Sequence, residues 1–296
     1  MGESLVIGSR GSHLALWQAN YIAGCLKELG VASEIQIIKT TGDHLQTASL
    51  VQAGGKGLFT KEIEDALLAH SIDVAVHSLK DLPTENPAGL TIAAIPERED
   101  PRDALVGKRL DELQHGARVG TSSNRRASQL RLLRPDFVID PVRGNVDTRL
   151  RKLHEGQYDA IVLAAAGLLR LGLENEIAQL FSPEQICPAP GQGALGIQTR
   201  VDDRARDICA RLNDDQTARA VRCERAVLAA LGGGCQLPIG AYAEVSGQML
   251  NVQAGVFAPD GSRHVRTRAE GTDPEELGRR VAQELIAKGA QSICAL

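Results

Sequence analysis

Through the first two hundred residues, short β-branched runs alternate with helix-patterned segments, and that alternation admits few folds. "SLVIGS" reads as a strand, and "SHLALWQANYIAGCLKELG" then spaces Leu14, Trp17, Tyr21 and Leu26 at helical intervals before Gly30 closes the pattern. "SEIQIIKT" is a second strand. "TKEIEDALLAHS" is a helix with Thr60 in the cap position and Ile63 in the first turn, and "DVAVHSL" is a third strand. Strands that alternate with helices build βαβ units and a parallel sheet. Between Thr41 and Phe59 lies a glycine-containing segment long enough to form a mobile loop over a site.

The pattern then repeats. "ARVGTSS" runs into the helix pattern "NRRASQLRLLRP", "FVIDPVRG" into "NVDTRLRKLHEG", and "DAIVLAAAGLLRLG" is another strand-to-helix passage. "PAPGQGALGIQTR" reads as a crossover and a strand, followed by two helices, "DDRARDICARLN" and "TARAVRCERAVLAAL". From Ile239 onward apolar and polar residues alternate, with Asp260-Gly261 marking a hairpin turn. The closing helix opens with Asp273 as cap, Pro274 at its first position and Glu276 in capping-box register. The fold class expected is α/β: two doubly wound α/β domains of the kind found in solute-binding proteins, plus a small C-terminal α+β domain with an antiparallel sheet. The boundaries expected are 1–97 with 194–214, then 98–193, then 215–296.

No apolar run approaches the roughly 20 residues that cross a bilayer, and the start lacks a basic region followed by an apolar one. A cytoplasmic protein without a membrane partner is expected. The net charge of −4 and the 3% aromatic content disfavour a nucleic-acid partner. The six cysteines form no C-x-x-C pair and share no metal-ligand spacing with the histidines, so neither zinc nor a disulfide framework is expected. Cys235 stands apart from the other five. It follows Gly232, Gly233 and Gly234 at the end of a helix pattern. Either the glycines stop the helix and Cys235 is a small apolar residue, or the loop displays a thiol to carry something.

The basic residues are unusual in kind. Of 33, only eight are lysine, and eleven arginines lie between Arg98 and Arg151. A guanidinium fork suits bidentate binding of carboxylate or phosphate. In open α/β sheets ligands bind beyond the carboxyl ends of the strands. There this sequence places Arg10 and Ser12, then Ser78, Lys80 and Asp81, then Thr121, Ser122, Ser123, Arg125 and Arg126. Arg143, Gly144, Asn145 and Arg149 follow the next strand, and Arg170 the one after. Helix N-termini already favour anions. Two such edges facing across a cleft would suit a ligand with several negative groups. Asp81 is the one carboxylate amid this set, either a cap or partner of Lys80, or a group for proton transfer and cation stabilisation.

Nine segments in order, among them "GSRGSHLALWQA", "DVAVHSLKDLPTE", "GTSSNRRASQL", "RGNVDTRLRKL", "PAPGQGALGIQTR" and "GGGCQLPIGAYA", resemble the porphobilinogen deaminase (hydroxymethylbilane synthase) family over nearly the whole chain. The sequence departs from that pattern at Asn124, Asp147 and Pro190. The resemblance implies a transferase of porphyrin and heme biosynthesis that condenses four porphobilinogen molecules head to tail, releases ammonia and yields linear hydroxymethylbilane. It also implies a dipyrromethane cofactor attached to Cys235 through a thioether, with Asp81 and Lys80 catalytic. By the same resemblance, Ser78, Lys80, Asp81, Thr121, Ser122, Ser123, Arg125, Arg126, Arg143, Gly144 and Asn145 hold the cofactor. Arg10, Ser12, Arg149 and Arg170 hold the growing chain, and the protein is expected to work as a monomer. The rival reading is a non-enzymatic binder of small multi-carboxylate anions. Intact mass separates the two, because a binder carries no covalent pyrroles.

Overall fold

A computed structural model describes residues 4–40, 60–232 and 238–294. The segment from Thr41 to Phe59 and Cys235 with its neighbours Gly233 and Gly234 lie outside the described residues. The chain divides into two compact units, 1–98 with 194–218, and 99–193 with 219–296.

In the first unit β1 (Leu5–Ser9), β2 (Ser33–Ile37), β3 (Val74–Ser78), β4 (Leu90–Ala94) and β10 (Leu195–Arg200) form a sheet of order β2-β1-β3-β10-β4. β1 runs parallel to β2 and β3, as the βαβ reading predicts. β10, however, runs antiparallel to both β3 and β4, so the sheet is mixed. Helix α1 (His13–Glu28) buries Gln18, Ala19, Ile22 and Leu26, one face at helical spacing. Ser12 caps it by accepting from the Ala15 N–H at 3.3 Å. Gly30, at φ 78°, ends it in the left-handed region. Helix α2 (Lys61–Leu68) has Thr60 in its cap position, as the sequence predicts. That residue already has helical backbone angles, and its hydroxyl makes no cap hydrogen bond.

The second unit repeats the plan. Its elements are β5 (Asp103–Val106), β6 (Arg118–Gly120), α3 (Asn124–Leu133), β7 (Val138–Asp140), α4 (Val146–His154), β8 (Ala160–Ala164), α5 (Ala165–Arg170) and β9 (Ile177–Leu180). The sheet order is β7-β6-β8-β5-β9, with β6 parallel to β7 and β8 and β5 antiparallel to β8 and β9. Each five-stranded sheet thus has three parallel strands, a fourth that runs against them, and an edge strand paired to it.

After β10 come α6 (Arg204–Cys209) and α7 (Asp215–Ala230). The strands β11 (Ile239–Ser246), β12 (Met249–Phe257) and β13 (His264–Gly271) then make an antiparallel meander, followed by α8 (Pro274–Ala287) and α9 (Ala290–Cys294). Val227, Ile239, Val252, Val281, Leu285 and Ile293 belong to one buried cluster between this sheet and its helices. Gly261 takes φ 77° in the β12–β13 turn, where the Asp260 carboxylate accepts from the Ser262 N–H. Asp273 caps α8 by accepting from the Glu276 N–H at 2.7 Å, with Pro274 in the first turn. Both features agree with the local chemistry read from the sequence. No helix of the described residues is long and apolar enough to cross a membrane.

Candidate active site

β1 and β3 are adjacent and parallel, so their carboxyl ends share one edge of the first sheet. Arg10 and Ser12 follow β1, and Ser78 ends β3 before a single 3-10 turn over Leu79–Asp81. Gln18 of α1 donates to the Ser78 hydroxyl at 2.9 Å, and the Leu79 N–H donates to the Ala194 carbonyl at 3.0 Å. The turn is therefore held from both sides. Lys80 and Arg10 are half-buried, while Asp81 is exposed. Among the described residues Asp81 makes no hydrogen bond or ion pair, so it is neither a helix cap nor the partner of Lys80.

Directly before Ser78 lies His77, which the sequence places at the same strand end without giving it a role. His77 is buried, and its Nε2–H donates to Gln198 Oε1 at 3.0 Å. Gln198 Nε2 in turn donates to Glu64 Oε1 at 3.1 Å. Burial pushes the His77 ring down from 6.5 to about 4, against the smaller upward effect of the Gln198 bond. The ring is thus neutral near pH 7. The unfolded ring takes up a proton near pH 6.5 and the folded ring only near about 4, so the stability His77 contributes is complete above pH 6.5. It is lost as pH falls toward about 4, by an amount on the order of 3 kcal/mol. In urea titrations across that window, His77→Gln is expected to flatten the dependence of stability on pH. An unchanged slope would assign the dependence to other groups.

In the second sheet β7, β6 and β8 are parallel neighbours, and their carboxyl ends again share an edge. Many of the polar residues there have local work. Ser123 caps α3 by accepting from the Arg126 N–H at 3.4 Å, and Asn145 caps α4 by accepting from the Thr148 N–H at 2.9 Å. Thr121 accepts from the Ser123 N–H at 3.2 Å, and Ser122 donates to the Val142 carbonyl at 2.8 Å. Gly144 has φ 113°, and a Cβ there would lie 2.6 Å from Thr148 Cγ2, so the position admits only glycine. Arg149 Nε donates to the Gly144 carbonyl at 2.8 Å, and Lys152 Nζ to the Arg143 carbonyl at 3.2 Å.

Arg125 and Arg126 differ most from what their helix-start positions suggest. Both are buried, at 5% and 6% exposure, and both grip Asp103, which is 0% exposed. Arg125 Nη1 donates to Asp103 Oδ2 at 2.7 Å and to the Cys187 carbonyl at 2.6 Å. Arg126 Nε donates to Asp103 Oδ1 at 2.8 Å, and its Nη1 to the Val162 carbonyl at 3.1 Å. Burial alone raises the Asp103 carboxyl; the two guanidiniums outweigh it and hold the group well below the usual carboxylate range. Two guanidiniums thus share one buried carboxylate. Arg170 is buried too, with Nη2 donating to the Gly193 carbonyl at 2.7 Å. Asp103 and Gln192 were not singled out from the sequence. The signal for Asp103 was a carboxylate opening the otherwise apolar "DALV".

The described cysteines are poor nucleophiles. Cys187, Cys209 and Cys223 are buried, and burial pushes each thiol up to about 12. Burial also raises the half-buried Cys25 thiol.

Comparison with known proteins accounts for most of the chain. Residues 5–207 match the family model described as "Porphobilinogen deaminase, dipyromethane cofactor binding domain", and residues 218–287 match "Porphobilinogen deaminase, C-terminal domain". A porphobilinogen deaminase of Geobacter metallireducens is 49% identical over 300 residues, covering 99% of this chain and 94% of its own length. One of Thiobacillus denitrificans is 50% identical over 299 residues, covering 98% of each. Among solved structures, the methionine binding protein MetQ aligns with a TM-score of 0.47 and 14% identity, over 73% of this chain and 92% of MetQ. With both family models matched in order and half of all residues shared along the full length, the chain belongs to the porphobilinogen deaminase family.

Proposed function

We propose that this chain performs the family's reaction on a dipyrromethane held by Cys235, with Asp81 as its catalytic carboxylate and Lys80 beside it. Family membership makes the chain a transferase of tetrapyrrole biosynthesis that condenses four porphobilinogen molecules, with loss of ammonia, to linear hydroxymethylbilane. When bound, the dipyrromethane supplies the pyrrole carbon from which the product chain grows. The residues fit such a group. Its acetate and propionate carboxylates match the guanidinium forks of Arg125 and Arg126. The raised thiols of Cys187, Cys209 and Cys223 favour Cys235 as the nucleophilic sulfur.

Asp81 carries the reading: an exposed carboxylate, without a hydrogen bond or ion pair among the described residues, on a turn braced by Gln18 and Ala194. From there Asp81 accepts pyrrole N–H groups, stabilises the positive charge that develops on porphobilinogen as ammonia leaves, and takes up the proton released on coupling. Lys80, Ser78, Arg10 and Ser12 bind carboxylates at the same sheet edge. Thr121, Ser122, Ser123, Gly144 and Asn145 add hydroxyl and N–H donors at two helix starts. Arg143 supplies cofactor contacts, and Arg149 and Arg170 grip the lengthening chain. The buried cluster of the meander supports treating 215–296 as a domain that presents Cys235, beside domains of 1–97 with 194–214 and of 98–193. The chain is taken to act as a cytoplasmic monomer, and its net charge of −4 speaks against a nucleic-acid partner.

The arginines should fail at different steps. Arg126→Leu is expected to give apoenzyme, because a group that grips the cofactor is needed before any turnover. Arg170→Leu is expected to keep the cofactor and accumulate enzyme-bound intermediates. Breaking the buried Arg126–Asp103 pair costs about 3–5 kcal/mol and losing the charged hydrogen bond of Arg170 about 1.5–3 kcal/mol, so thermal midpoints should fall in both variants. Both variants are fed porphobilinogen and weighed intact. Normal cofactor and activity in Arg126→Leu, or no intermediates in Arg170→Leu, would sink the corresponding assignment.

A further inference from the structure

The segment before β10, "PAPGQG" at 188–193, is too well connected to be a mere crossover. Its carbonyls and amides reach several parts of the second unit. The Pro188 carbonyl accepts from the Ala241 N–H at 3.0 Å, and the Gly193 carbonyl accepts from Arg170. The Gly191 N–H donates to Glu224 Oε2 at 2.7 Å, and the other oxygen of that fully buried carboxylate accepts from the Ala243 N–H at 2.9 Å. Glu224 lies on α7, which ends at Ala230, and Ala241 and Ala243 lie on β11, which begins at Ile239. The segment therefore ties together the two elements that bracket Cys235 in sequence.

Between those ties stands Gln192, 0% exposed. Its Nε2 donates to the Pro101 carbonyl at 2.7 Å and to Asp103 Oδ1 at 2.9 Å. Its Oε1 accepts from Arg125 Nη2 at 3.4 Å and from Arg126 Nη2 at 3.5 Å. One uncharged amide thus bonds to the carboxylate and to both guanidiniums. The residue type matters. A glutamate of the same shape would set a second carboxylate against Asp103, whereas an apolar side chain would leave directional groups unmatched.

We propose that Gln192 is a positioning residue of the cofactor site: it orients Arg125 and Arg126 on Asp103, and its loop keeps that cluster in register with the elements flanking Cys235. This rests on the reading of Cys235 and the arginine pair as the cofactor site. Gly193 makes the loop's path specific, since a Cβ there would lie 2.3 Å from the Glu99 carbonyl oxygen. Gly191 and Gly193 also have φ of 75° and 86°, on either side of Gln192.

The test compares Gln192→Met, close in size and uncharged, with Gln192→Glu and with Gln192→Asn, which keeps the amide but shortens its reach. Each protein is weighed intact before and after porphobilinogen, its thermal midpoint is measured, and turnover is expressed per cofactor-bearing molecule. Gln192→Met is expected to fold, to carry cofactor in part, and to turn over about tenfold more slowly per cofactor-bearing molecule, with intermediates accumulating. Gln192→Glu is expected to be mainly apoenzyme. Gln192→Asn should fall between Gln192→Met and the parent, and it decides the matter if Gln192→Met does not fold. Parental turnover per cofactor-bearing molecule in Gln192→Met, or in Gln192→Asn where that variant decides, overturns the proposal, whatever the midpoint does. Cys235→Ala run in parallel separates the failures. If it keeps the covalent mass, the underlying reading is wrong; if it loses the mass and Gln192→Met behaves as the parent, only the role of Gln192 is wrong.

Discussion

Cys235→Ala is expected to give a folded protein with neither covalent cofactor nor activity, the largest effect of any single change proposed for this chain. The intact mass of the parent should exceed the sequence mass by two linked pyrrole units, and that of the variant should not. Among the described residues the other sulfurs do not offer a ready substitute. Cys187, Cys209 and Cys223 are buried with thiols pushed up to about 12, where almost no thiolate exists at neutral pH. The apolar cluster between the meander and its helices is built from Val227, Ile239, Val252, Val281 and Leu285, so the variant should keep its thermal transition. A variant that kept the mass excess would move the anchor to another cysteine and undo the link between the glycine run and catalysis.

Asp81→Asn should lower turnover by about 10²-fold or more while allowing the cofactor to assemble slowly. The substitution keeps the size of the side chain and one acceptor, and removes the charge that faces a cationic intermediate. Because Asp81 has no hydrogen bond or ion pair among the described residues, its loss should leave stability nearly unchanged. Stability and rate are thus expected to part company here, unlike at Arg126, where both should fall. The decisive measurement is turnover by Asp81→Asn protein shown by mass to carry cofactor. Parental turnover in that sample would reduce Asp81 to a surface residue of the turn.

What the sequence determined by itself was whatever nearby residues decide. The strand–helix alternation, the caps at Ser12 and Asp273, the turn at Asp260-Gly261 and the positive-φ glycine after α1 all arise within a few residues of chain, and all were legible. The ordered motifs were legible too, and with them the family. At Thr60 the cap position was legible too, but its hydroxyl makes no cap hydrogen bond. Tertiary structure alone decided how distant segments meet. β10 and β5 run against the parallel strands of their sheets, which no local periodicity encodes. His77 meets Gln198 across 121 positions, and Gln192 meets Asp103 across 89. A sequence can show that Arg125 and Arg126 are cations at a helix start, but not that both are buried on one carboxylate brought there by another strand. The physical reason is that secondary structure and capping depend on short-range sterics and hydrogen bonds, whereas the work of a charge depends on burial and on which opposite charge folding brings within about 3 Å of it.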